Sequence, residues 1–128
     1  MGVTAPWLAS RIVLVAVFSV LVATSACANW TELEDHPCPD EGTVLGWDDF
    51  AGGFLNAYCN DCHGAASNDR RGAPRAVLFD TYEQAHVSRE RIFLRSAADN
   101  TTMPPGPDDP PLEERAKLAE WIACGAPR

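Results

Sequence analysis

Cys59-Asn60-Asp61-Cys62-His63 constrains this chain more than any other feature. Two thiols three positions apart come one above the other on a helical turn, and the histidine directly after the second separates the group from a bare dithiol. Cys-x-x-Cys-His is the attachment signature of c-type haem. The two sulfurs reach the two vinyl groups on one side of a porphyrin, and the adjoining imidazole is aimed at the iron. Two rival readings of the pair stay in view. A zinc site needs a second closely spaced pair, whereas Cys38 and Cys124 stand alone. A thioredoxin-like dithiol needs a βαβ context, for which the chain has no strand signal.

The chain has 128 residues, room for one domain of ordinary size. Ten basic against 18 acidic residues, a net charge of −8, leave no surplus of Lys and Arg to displace counterions, so nucleic acid is excluded as an expected partner. Near the N-terminus a single Arg11 precedes an apolar run from Ile12 to Val22. That run is well short of the ~20 residues a helix needs to cross a bilayer, and it reads as the apolar part of a signal peptide. Thr24-Ser25-Ala26-Cys27 resembles a bacterial lipobox, with Thr24 where leucine is usual. Cleavage there removes residues 1–26 and leaves Cys27 as a lipidated first residue. Ala26-Cys27-Ala28 instead fits ordinary signal cleavage, which discards Cys27. Either route puts about 100 mature residues outside the cytoplasm, on the periplasmic or cell-surface side of a bacterial membrane, where disulfides are permitted. Residues 27–41, with Asn29, Glu32, Glu34, Asp35, Pro37 and Pro39, read as a solvated tether to a domain over 42–128, and His36 as a solvated side chain within it.

The domain reads as all-α with long connecting loops, because no segment sustains period-two alternation. Asp48 is a candidate cap for a first helix whose Phe50, Phe54 and Tyr58 recur every four residues and lead to Cys59. Gly52 and Gly53 within it call for a close crossing by another helix, or else mark a weak helix. Residues 68–74 form an irregular loop. A second helix starts at Asp80 or Thr81, with Glu83 or Gln84 as capping-box partner, and runs towards Ala98. Pro104, Pro105, Pro107 and Pro110 then stiffen a loop. A last helix, capped by Asp108 or Asp109 and stopped by Gly125, presents Leu118, Trp121 and Ile122 on one face.

With its Cys59–His63 motif and the C-terminal stretch MPPGPDDPPLEERAKLAEWIACGAP, the chain resembles the class I cytochromes c, and more narrowly the small exported monohaem domains of bacteria, over about Cys38 to Pro127. The resemblance implies helices and loops wrapped round one covalent haem, with the first and last helices crossing at right angles. It also implies a sixth iron ligand from a late loop. Met103 stands 40 positions after His63, before Pro104 and Pro105, and is the methionine left once Met1 departs with the signal; its other reading is a core filler. His86, on the expected second helix, is the rival ligand. Pro74 resembles the family's proline whose carbonyl receives the imidazole N–H of the haem-binding histidine, here His63, against the alternative of an ordinary loop proline. Arg70, Arg71 and Arg75 are candidates for pairing with haem propionates, unless simply solvated.

With Cys59 and Cys62 assigned to haem and Cys27 lipidated or removed, Cys38 and Cys124 remain, the number one disulfide uses; two free buried thiols are the alternative. The function that follows is electron transfer by an Fe(III)/Fe(II) haem with histidine and methionine ligands, to redox partners bearing basic docking patches. No enzyme activity is expected. The alternative is haem-based small-ligand binding or peroxidase-like chemistry at an open sixth position.

Overall fold

The computed structural model describes residues 31–128, so the export segment and Cys27 lie outside the described residues. Helix begins where the extended Gly46 gives way to Trp47. The Gly46 carbonyl accepts from the N–H groups of Phe50 (3.1 Å) and Ala51 (3.0 Å), winding Trp47–Ala51 as a π-helical stretch that runs into α1 (Gly52–Tyr58). Asp48 does not cap it; it lies in the first turn, where a carboxylate still complements the helix dipole. Phe50, Phe54 and Tyr58 contact one another in turn, with ring centroids 5.8 and 5.0 Å apart, so the four-residue stripe forms. Among the described residues no other helix crosses closely at the two glycines. A Cβ on Gly52 would meet the Trp47 indole at 3.1 Å, and one on Gly53 would meet open space.

After the break at Cys59, α2 (Asn60–His63) is a single turn. The expected second helix is two, α3 (Tyr82–Val87) and α4 (Arg89–Ser96), because Ser88 at φ −94° and ψ 2° departs from helical geometry. Its start is as expected. Gln84 N–H donates to Thr81 Oγ1 (3.4 Å) and Thr81 N–H donates to Gln84 Oε1 (3.1 Å), completing a capping box. Thr81→Ala removes half of it and should cost about 1 kcal/mol, read as a lower urea midpoint with an unchanged slope.

The last helix, α5 (Leu112–Ala123), follows Pro111 with no side-chain cap; neither Asp108 nor Asp109 takes that role. Glu113 and Glu114 occupy its first turn, and Gly125 ends it at φ +87°. Its buried face carries Leu118, Trp121 and Ile122, as expected, together with Arg115. The core joins these to Phe54, Leu55 and Phe93. The C-terminal residues then bind three elements together. The Pro127 carbonyl accepts from Trp47 N–H (3.2 Å) and Trp121 Nε1 (2.8 Å), and the Ala126 carbonyl accepts from the Tyr82 hydroxyl (3.1 Å). Gly46 is small for this reason, since a Cβ there would meet the Arg128 carbonyl at 2.9 Å. Among the described residues there is no strand, so the domain is all-α.

Residues 31–41 are not a free tether. Thr31 and Asn100 exchange two hydrogen bonds, Thr31 N–H to Asn100 Oδ1 (3.1 Å) and Asn100 Nδ2 to the Thr31 carbonyl (2.9 Å). Leu33, in a 3-10 turn over Leu33–Asp35, packs on the core, and the His36 ring lies 5.9 Å from that of Phe93 instead of in open solvent. Apolar and amide contacts outweigh the acidic composition that suggested a solvated strand. Cys38 and Cys124 are joined by a disulfide spanning 86 residues, fastening this segment to the end of α5.

Candidate functional site

The cysteine pair sits where α1 hands over to α2. Cys59 is buried, and its carbonyl accepts from the N–H groups of Cys62 (3.1 Å) and His63 (2.8 Å), so one turn of backbone sets both thiols and the imidazole. The turn is tight: a Cβ on Gly64 would meet the Asn60 carbonyl at 2.6 Å. His63 Nδ1 donates to the Val77 carbonyl at 3.1 Å, and its ring lies 4.8 Å from that of Phe79. A carbonyl only accepts, so Nδ1 carries a proton, and in the neutral ring this leaves the lone pair on Nε2, the arrangement a metal-binding imidazole needs.

The carbonyl that orients His63 therefore belongs to Val77 and not to Pro74. The Pro74 carbonyl accepts from Val77 N–H (3.0 Å) and from Arg70 Nη2 (2.9 Å). Arg70 also donates to the carbonyls of Gly64 (2.9 Å) and Val77 (3.2 Å). Its guanidinium holds the loop after the motif and thereby the acceptor for His63, and it does not line the cleft described next. Arg71 and Arg75 are exposed and do not line it either.

Cys59, Cys62 and His63 form one wall of a cleft of about 300 Å³. Tyr58, Val77, Phe79 and Ile92 give it an apolar lining, and Met103, Pro104 and Pro105 bring the proline-stiffened loop to its edge. Pro74 lines the cleft too, so it keeps a place at the site without the role expected of its carbonyl. Met103 is 37% exposed, and its N–H donates to the Arg95 carbonyl at 2.9 Å. His86, the rival ligand candidate, does not line the cleft, and its ring lies 5.2 Å from that of Tyr82.

Charge at the cleft runs against the acidity of the whole chain. Arg91 and Arg95, one helical turn apart on α4, line it, and no Asp or Glu does. Burial pushes the Cys59 thiol up to about 12, with the Arg115 charge opposing. Burial of the Cys59 thiol disfavours its thiolate, the form a reactive cysteine uses. Zinc fares no better, since no group of three or more His, Cys, Asp or Glu side chains suited to an ion occurs among the described residues. Two cysteines one turn apart, a pre-oriented imidazole, a methionine in the cleft lining and an apolar cleft with two cations suit haem.

Sequence reasoning missed Val77, Arg91, Arg95 and Arg115. Arg91 and Arg95 could have been found by their spacing around Ile92, and Arg115 by its place three residues before Leu118 on the apolar face of α5. No family model, curated protein or solved structure matches this chain.

Proposed function

We propose that this chain is an electron-transfer protein, a monohaem domain of the class I cytochrome c type whose helices and loops wrap one covalently attached haem. The observation that carries this reading is the single cleft lined by Cys59, Cys62 and His63 together with Met103. Haem, when bound, supplies a one-electron Fe(III)/Fe(II) couple.

The residues divide the work among themselves. The sulfurs of Cys59 and Cys62 would hold the group covalently, and His63 Nε2 and Met103 Sδ would supply its two iron ligands. Val77 keeps His63 in the tautomer that presents Nε2. Tyr58, Phe79 and Ile92 exclude water, which raises the potential relative to a wet site. Arg91 and Arg95 offer guanidinium groups to the haem carboxylates, the part first sought in Arg70, Arg71 and Arg75. Export with a lipid on Cys27 would put the domain at the outer side of a bacterial membrane, and the net charge of −9 left once Arg11 departs suits partners with basic docking patches in small, salt-sensitive contacts.

The test is an absorption spectrum of protein matured with covalent haem, oxidised and reduced, with and without carbon monoxide. A low-spin spectrum, a weak near-infrared methionine–iron band in the ferric form and no response to carbon monoxide are expected. In Met103→Ala the haem stays attached, the near-infrared band disappears and the ferrous form binds carbon monoxide. High-spin character or ready carbon monoxide binding in the unaltered protein would replace electron transfer with ligand binding or peroxidase-like chemistry.

A further inference from the structure

Arg115 carries a charge yet is only 1% exposed, a state that is tolerated when hydrogen bonds replace the lost water. Its Nη1 donates to the carbonyls of Ser96 (2.8 Å), Asn100 (3.0 Å) and Met103 (2.9 Å), and its Nε to that of Pro110 (3.3 Å). Its nearest carboxylate, Asp109 at 3.5 Å, is 61% exposed and only partly offsets the charge. These acceptors are the end of α4, the turn after it, Met103 itself and the residue before Pro111. The Arg115 backbone joins in, its carbonyl accepting from Ala98 N–H at 3.1 Å.

The segment between α4 and α5 contains no helix or strand, so no regular ladder of backbone bonds holds it. The Met103 backbone itself is held at two points, and the neighbouring Thr102 hydroxyl donates to the Arg95 carbonyl at 3.3 Å. Met103 N–H is taken by the Arg95 carbonyl, and the Met103 carbonyl by Arg115. A thioether is a neutral, soft ligand that the protein must keep within reach, because an ordinary loop would let it wander. We propose that Arg115 is the positioning residue for the sixth iron ligand: its guanidinium gathers the loop carbonyls on α5 and so holds Met103 at the cleft. This rests on the proposed ligation by Met103. Lysine cannot substitute, because one ammonium lacks the spread of a planar fork that reaches Pro110 and Met103 together.

The test uses the haem-loaded protein and its Arg115→Lys and Arg115→Gln variants, beside Met103→Ala. Arg115→Lys is expected to keep covalent haem and helical circular dichroism, to lose most of the near-infrared band, and to raise the fraction of ferrous protein bound to carbon monoxide by about tenfold or more. Adding Met103→Ala to Arg115→Lys should raise carbon monoxide binding no further than Met103→Ala alone, since both act on the same ligand. A folded Arg115→Lys protein with a full near-infrared band and no carbon monoxide response overturns the proposal.

Should both variants fail to fold, the unaltered protein decides. Imidazole added to displace Met103 should release the Arg115 guanidinium protons, read by NMR as an increase of about tenfold in their hydrogen exchange; unchanged protection overturns the proposal. Failure of the underlying ligation is separately visible. It appears as a missing near-infrared band in the protein before any substitution, and then both readings fall.

Discussion

Replacing Cys59 and Cys62 together with alanine is expected to abolish covalent haem entirely. Protein produced with a c-haem maturation system and then denatured in acid and organic solvent should lose all visible absorption, and its intact mass should equal that of the bare chain. The loss is complete, not graded, because no other free thiol stands among the described residues. Cys38 and Cys124 are already bonded to one another, at the opposite end of α5 from Arg115 and the Met103 loop. The same variant should also unfold more readily. Without haem the apolar side chains of Tyr58, Val77, Phe79 and Ile92 border an unfilled cleft and lose the contacts that burial against the porphyrin provides. Met103→Ala provides the contrast, since it should change the spectrum and leave the mass increment of the haem untouched. A double cysteine variant that still carries covalent haem would refute the assignment of the motif.

The second large effect concerns stability. Cys38→Ser with Cys124→Ser opens a closure spanning 86 residues, which loop-closure entropy values at about 4 kcal/mol. For a domain of this size the melting temperature should fall by roughly 15–30 °C, read by circular dichroism. Helical content at room temperature should persist, because the segment carrying Cys38 has other holds: the Thr31 and Asn100 exchange, Leu33 on the core, and Thr43 Oγ1 donating to Glu120 Oε1 at 2.6 Å. A fall of only a degree or two would mean that these contacts persist in the unfolded chain or restrain it without the bond.

What the sequence revealed was local chemistry and counting. The Thr81 capping box depends on four consecutive residues and appears as expected. The disulfide followed from subtraction among five cysteines. Long-range competition decided the features that were hidden. Nothing local distinguishes the Pro74 carbonyl from the Val77 carbonyl as acceptor for His63; the choice depends on how Arg70 gathers the loop. Arg115 stands among Glu113, Glu114 and Lys117 and reads like part of a charged surface, although its spacing from Leu118 puts it on the buried face. Asp109 was assigned to a helix cap because capping is the commonest short-range use of an aspartate before a helix, but the buried guanidinium attracts it instead. The acidic residues of 31–41 concealed the apolar anchor of Leu33 and the ring of His36.

The docking of Thr31 on Asn100 sets a limit on travel. On the proposed lipidation of Cys27, only four peptide steps separate the lipid from Thr31, a distance of at most ~14 Å when fully drawn out. A tether ending at residue 41 would reach ~50 Å when fully drawn out. Docked through Thr31, a domain lipidated at Cys27 would instead stay close to the bilayer. On that proposal electrons would be handed over within a thin layer at the membrane, either to proteins embedded in it or to soluble ones that come to it.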